Sequence, residues 1–347
     1  MSQHGVHYSD YLQLEKILNA QETESGKKGI DAHDETLFII IHQAYELWFK
    51  QILFEIDSVA AIMNKPVLND NSPELQKVVH RMERMVTILK VLVHQIDIME
   101  TMTPMDFLDF RDLLRPASGF QSWQFKVTEA KLGLKYQHRY GQEYYVSQLR
   151  PAQVDLIKSV EEQPTLLELV NKWLERMPFF EEESLWKSYQ SLFPEEDGQH
   201  IFWSDFKNLY SKSLVEGERD NLGHFYEVFS DNSTGERQLS ARASRAALFI
   251  MLYRGYPMLQ TPFRLLNLLL EVDEQLSTWR FRHMNMVHRI IGTRTGTGGS
   301  SGKDYLKNAM DKHYIYKEVA ALTSFLIEGN KLPRLSSEME KRLGFHS

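Results

Sequence analysis

The sequence predicts an all-α protein, and three observations carry that prediction. Apolar residues recur at three- and four-residue steps through most of the 347 residues. Alternation of the strand kind is scarce, and no internal repeat divides the chain into smaller units.

Taken in order, the elements are well marked. The stretch Asp34–Met63, "DETLFIIIHQAYELWFKQILFEIDSVAAIM", is apolar on nearly every side, with Gln43, Glu46 and Lys50 as one narrow polar strip. Such a helix is expected to be buried among others. Residues 73–102 form a second, more amphipathic helix, with Val78, Met82, Met85, Leu89, Leu92, Ile96 and Met99 on one face. "TPMDF" starts a third: Thr103 suits the N-cap, Pro104 the first helical position and Asp106 the acid of a capping box. That helix should stop near Pro116, where "RPASGFQS" reads as a loop. The middle of the chain mixes short helical pieces with breaks such as "FPEEDGQH" and "DNSTGERQ". Periodicity resumes in "LSARASRAALFIMLYRG" and in a long helix from about Thr261. The organisation expected is a helical core from residues 1–150 and 239–347, with 151–238 as a smaller, solvent-rich helical insertion.

Composition excludes several classes. The 42% hydrophobic content suits a large core, and the length suits two lobes or one large helical body. A formal charge of -7 with no Lys/Arg run leaves no basic field for nucleic acid. Without cysteine there are no disulfides or thiolate ligands, which fits a cytoplasmic location. "MSQHGVHYSDY" has no apolar signal core, and no apolar run approaches a membrane span, so a soluble protein is expected.

The glycine-rich stretch "GTRTGTGGSSGKD", residues 292–304, invites comparison with phosphate cradles. It fails both nucleotide patterns. A P-loop ending at Gly302 and Lys303 has Thr297 in place of its first glycine and Asp304 in place of Ser or Thr. The dinucleotide pattern through Gly296 and Gly298 meets Ser301 instead of a third glycine, and a helix precedes the loop where a strand belongs.

Candidate chemistry lies elsewhere. Phe38, His42, Tyr45 and Phe49 share one helical face, so His42 is either a core histidine bonded to a neighbour or a group in an aromatic cavity. Phe107 and Arg111 are an i, i+4 pair flanked by Phe110, Leu113 and Leu114. Arg111 is either a surface charge or a two-point clamp for a carboxylate. His283 and His288, five residues apart, lie roughly 140° apart around a helix and cannot share a metal ion. A single axial histidine, as in haem proteins, is compatible with His283 on its flank of Trp279, Met286 and Val287.

These residues stand in long motifs. "HYSDYLQLEKILNAQ", "HDETLFIIIHQAYELWFKQILFEIDSV", "METMTPMDFLDFRDLLRPASGFQS", "WRFRHMNMVHRIIG" and "GTGGSSG" resemble, in order and spacing, the tryptophan 2,3-dioxygenase family. The resemblance covers about residues 8–305; the middle segment and the tail match weakly. It implies an all-helical homotetramer, a dimer of dimers, binding one haem b per subunit. It also implies insertion of both atoms of O2 into the indole of L-tryptophan, giving N-formyl-kynurenine. His283 would be the axial iron ligand, chosen over His288 because it stands fourteen residues before Thr297 as the family pattern requires. His42 would be the distal, catalytic histidine facing the indole N–H. Arg111 would pair with the substrate carboxylate, and Thr297 would contact its ammonium and carboxylate. Phe38 and Phe107 would wall the indole pocket, and Ser118 would lie near the haem edge. Tyr8 and Tyr11 would arrive from a neighbouring subunit's N-terminal segment. Ile41 and Trp123 depart from residues usual in the family, and the C-terminus is shorter than in animal members.

Two other readings remain at this level. One is a related haem enzyme that adds a single oxygen atom to an indole; the clamp formed by Arg111 and Thr297 would be wasted on a substrate without a zwitterion. The other is a non-catalytic helical protein that binds haem.

Overall fold

The long periodic stretches become the longest helices of the computed structural model, which describes residues 5–68, 72–139, 146–194, 200–231, 237–292, 294 and 312–344. Among the described residues there is no strand. In chain order the helices are α1 (Tyr8–Leu12), α2 (Leu14–Leu18), α3 (Glu24–Lys27), α4 (Asp34–Met63), α5 (Pro73–Met99), α6 (Pro104–Arg111) and α7 (Trp123–Leu132). There follow α8 (Pro151–Glu161), α9 (Leu166–Glu175), α10 (Ile201–Ser213), α11 (Asn221–Phe229) and α12 (Ala241–Leu252). The last are α13 (Pro257–Ile291), α14 (Lys317–Ala321) and α15 (Ser337–Leu343).

α5 is the centre of the molecule, packing along both α4 and α13, while α4 also meets α7 and α9 meets α12. Its amphipathic stripe explains this: Val78, Met82, Met85, Leu89, Leu92, Ile96 and Met99 are all buried. The main apolar cluster runs from Phe49 on α4 to Leu343 on α15. Residues 151–238 supply Trp173, Phe202, Phe206, Tyr210 and Phe229 to that same cluster. Their loop is gathered by the fully buried Asp205, which accepts hydrogen bonds from Tyr189 Oη (2.8 Å), Leu192 N (2.9 Å), Ser191 Oγ (3.0 Å) and Phe193 N (3.1 Å). Four partners offset the desolvation of one carboxylate. A second apolar cluster joins Ile41, Ile96, Met99, Met102, Phe107, Phe110 and Met286, where α4, α5, α6 and α13 converge.

Three details depart from the sequence expectations. α5 ends at Met99 rather than 102, because Thr103 precedes a proline and takes an extended backbone (φ -82°, ψ 162°). α13 starts at Pro257, a turn before Thr261; Pro257 sits where a missing N–H costs nothing, and Pro262 lies within the helix. The third concerns α4, expected to be buried all round. Ile40, Leu47 and Phe54, seven residues apart on one stripe, are 48%, 57% and 70% exposed, and Trp48 beside them is exposed as well. Within one chain α4 packs against α5, α6, α7 and α9, and this stripe stays uncovered.

Candidate active site

The second cluster frames the slot into which most of the candidate residues are brought. From α4 come Phe38, His42 and Tyr45, from α6 Phe107 and Arg111, and from α13 Trp279 and His283.

α6 is set at both ends. Thr103 Oγ1 accepts from Asp106 N (3.4 Å) and the Asp106 carboxylate accepts from Thr103 N (2.7 Å), completing the capping box expected from "TPMDF". One turn later Phe107 meets Phe110 edge-on (5.4 Å between centroids, 88°), and both rings lie against Phe38 at 5.7 and 5.6 Å. Arg111 closes the helix in its last turn, where a cation suits the helix dipole. It is 5% exposed, so its guanidinium belongs to the interior and is not a surface charge.

His42 Nδ1 lies 2.7 Å from the Phe38 carbonyl oxygen. A carbonyl only accepts, so Nδ1 carries the hydrogen and Nε2 keeps its lone pair. The ring tilts over Phe38 at 4.1 Å. Burial lowers its pKa, opposed by the Phe38 carbonyl and by Glu46, so the neutral imidazole is favoured. His42 nevertheless stays open to solvent. A group that is crowded and yet accessible lies in a concave surface.

His283 faces the slot from α13. Its ring is stacked on Trp279 (4.9 Å, 8°), and Trp279 packs against Phe125 at 5.0 Å and Tyr45 at 6.1 Å. Tyr45 is fixed in turn by donating to the Leu92 carbonyl (2.7 Å). Burial first, and then the nearby His42, push the His283 pKa down to about 4. The ring is therefore neutral, as a metal ligand must be. His283 is half-buried, with Nδ1 fully enclosed and without a hydrogen-bond partner among the described residues. The opposite nitrogen, Nε2, is thus the one left to a ligand. An aromatic wall with a single neutral imidazole fits a haem and does not fit a chelated ion. Consistently, no group of three or more His, Asp or Glu with metal spacing occurs among the described residues. His288 is exposed on the far side of the helix.

The remaining candidates are placed differently. Ser118 is half-buried and caps a short turn, its Oγ accepting from Phe120 N (3.3 Å) and its N–H reaching Gln121 Oε1 (3.4 Å). Tyr8 and Tyr11 are 71% and 74% exposed on α1, whose main packing partner is α2, so they are not part of their own chain's slot. Thr297 and the rest of residues 295–304 lie outside the described residues. Sequence reasoning missed Phe125 and the buried group Glu129, Arg139 and Arg280 behind Trp279. Their partners come from distant segments, so no short-range pattern marks them.

With this geometry in hand, comparison with known proteins is direct. The sequence model of the family described as tryptophan 2,3-dioxygenase matches residues 1–326. The chain is 43% identical to the tryptophan 2,3-dioxygenase of Bdellovibrio bacteriovorus, over 98% of each chain. It is 42% identical to that of Dictyostelium discoideum and 41% to that of Rattus norvegicus, over 99% of this chain and 89% and 87% of theirs. Slot, motifs and full-length similarity agree, and the chain belongs to the tryptophan 2,3-dioxygenase family.

Proposed function

We propose that this protein is a haem-dependent dioxygenase that cleaves the C2–C3 bond of the indole of L-tryptophan with O2, giving N-formyl-kynurenine. The observation that carries this reading is one aromatic slot with a neutral imidazole on each of two helices and a buried guanidinium at its margin. His42 presents a bare Nε2, His283 presents its own, and Arg111 supplies the cation.

Each residue has a task that follows from its chemistry. Arg111 forms a two-point ion pair with the amino-acid carboxylate, the partner best matched to a buried guanidinium. Phe38 and Phe107, in contact with each other at 5.7 Å, would wall one side of the indole pocket. His42 Nε2 accepts the indole N–H and so fixes the ring's orientation. Indole is electron-rich and need not lose that proton before reacting, so His42 orients rather than abstracts. Thr297 would hold the ammonium and carboxylate. His283 would hold haem b through Nε2, with Trp279 stacked on the imidazole face. Bound there, ferrous haem would supply the activation of O2, which reacts poorly with closed-shell organic molecules. Ser118 would lie at its edge. Both oxygen atoms end in the product, one in the formyl group and one in the ketone.

The protein would act as a homotetramer, a dimer of dimers. Support comes from the bare stripe Ile40, Leu47 and Phe54, and from Tyr8 and Tyr11, exposed on a helix that its own chain hardly covers. No helix among the described residues is long and apolar enough to cross a membrane, and a cysteine-free chain suits the cytoplasm.

Aerobic turnover of L-tryptophan by the reduced, haem-loaded protein under labelled O2 tests the reading. Two labelled atoms per product molecule are expected. One labelled atom would mean a mono-oxygenase, and haem binding without product would mean a non-catalytic haem protein.

A further inference from the structure

Behind the Trp279–His283 stack lies a charged group that the reaction itself does not use. Glu129, Arg139 and Arg280 are each 5% exposed or less. Glu129 Oε1 accepts from Arg280 Nη2 (2.6 Å) and its Oε2 from Arg139 Nη1 (2.5 Å). Burial alone would raise the Glu129 pKa, but the Arg139 and Arg280 guanidiniums outweigh it and hold the carboxyl ionised, well below the usual range. Arg280 also donates through Nη1 to the His313 carbonyl (3.3 Å). Asp273, two turns earlier on the same face of α13, accepts from Ile315 N (3.0 Å) and Tyr316 N (2.5 Å). Tyr316 Oη then donates to the Leu132 carbonyl at the end of α7 (3.3 Å).

The placement of these ties is informative. Phe125 and Glu129 are one turn apart on α7, and Trp279 and Arg280 are neighbours on α13. α7 therefore holds α13 twice at one level, by a ring contact and by an ion pair, one turn before His283. A helix side chain stands about 5 Å from its axis, so a rotation of about 10° moves it about 1 Å. Metal–nitrogen distances are held to about 0.2 Å. An apolar replacement of a buried ion pair is often neutral or stabilising, so its stronger effect is on geometry.

We propose that Glu129 is a positioning residue for His283: its carboxylate, bridging Arg280 and Arg139, fixes the rotation of α13 and so the approach of the axial imidazole to the haem. This rests on the reading of His283 as the axial ligand.

The test uses the full-length protein, wild type against Arg280→Lys and Glu129→Gln/Arg280→Met, with His283→Ala as reference. The lysine keeps the charge but loses the fork. The double variant removes one acid and one base, leaving the net buried charge unchanged, and its new amide oxygen can still accept from Arg139. Both are expected to keep wild-type helicity by circular dichroism. Both should lose haem to a scavenging protein at least about 10-fold faster, with a shifted or broadened iron–histidine vibration in the reduced protein. Variants that retain haem at the wild-type rate, with an unshifted vibration, would overturn the proposal. A wild-type vibration that survives in His283→Ala would instead overturn the axial role of His283, and this proposal with it.

Discussion

His42 commits its Nδ1 hydrogen to the Phe38 carbonyl, four residues back along the same helix. That one bond makes Nε2 an acceptor, so the side chain receives a proton-bearing nitrogen and does not offer one. His42→Ala should lower kcat/KM about 5-fold, the worth of one hydrogen bond of about 1 kcal/mol. Abolished turnover with tryptophan still bound normally would mean that His42 is an obligatory base. Arg111→Leu should act mainly on binding, raising KM about 10- to 100-fold, because it removes a charge-assisted pair worth about 1.5–3 kcal/mol. If KM stayed the same for tryptophan, the carboxylate would have to be held elsewhere. Both side chains were visible in the sequence only as open alternatives: His42 as core or cavity, Arg111 as surface or clamp. Burial removes the surface alternative for Arg111, since 5% exposure is incompatible with a surface charge, and the clamp is the proposal that remains.

At the scale of elements, local chemistry was read well wherever the cause was local. The capping box of Thr103 and Asp106, the proline at the first position of α6 and the bounds of α4 all follow from neighbours within four residues. Thr103→Ala should cost about 1 kcal/mol of stability, measured by urea unfolding. It should also raise the KM for tryptophan, since α6 carries Arg111 in its last turn. A stability loss without any change in KM would show that the helix start does not govern Arg111. Less legible were features set by distant partners. Glu129 and Arg280 are 151 residues apart, and neither motif nor periodicity announces that they meet.

At the scale of the molecule, two properties depend largely on groups outside the slot. Burial holds His200 and His313 near a pKa of about 4; Arg245 assists at His200, whereas at His313 Glu129 opposes and Arg280 assists. Each is neutral when folded and takes up a proton on unfolding between about pH 4 and the ordinary histidine value near 6.5. Stability should therefore fall as pH drops through that window. Asp273 works the other way: burial raises its pKa to about 6 despite bonds from Tyr316 and Ile315, so its contribution is lost as pH rises. In the haem-free protein His283, lowered to about 4 by burial and then by His42, joins His200 and His313, so three histidines outnumber one aspartate. The urea midpoint of the haem-free protein should thus decline from pH 6.5 towards 4, and His313→Gln should flatten the decline. A midpoint constant across the window would mean that these imidazoles are charged in the fold. The second property is assembly. Leu47→Asp with Phe54→Asp should reduce the molecular mass measured by light scattering, because two carboxylates would stand on the bare stripe of α4. An unchanged mass would show that this stripe faces solvent in the assembly.

The sequence by itself determined the all-α class, the bounds of α4 and the motifs that mark the tryptophan 2,3-dioxygenase family. These rest on periodicity, capping and motif, which act over a few residues along the chain. Tertiary structure alone decided which nitrogen of each histidine is available, that Arg111 is buried, and that α13 is braced behind His283. It also revealed that the apolar helix α4 leaves one face uncovered within its own chain. Those outcomes depend on what each side chain meets across the core, and such contacts join segments that the sequence keeps far apart.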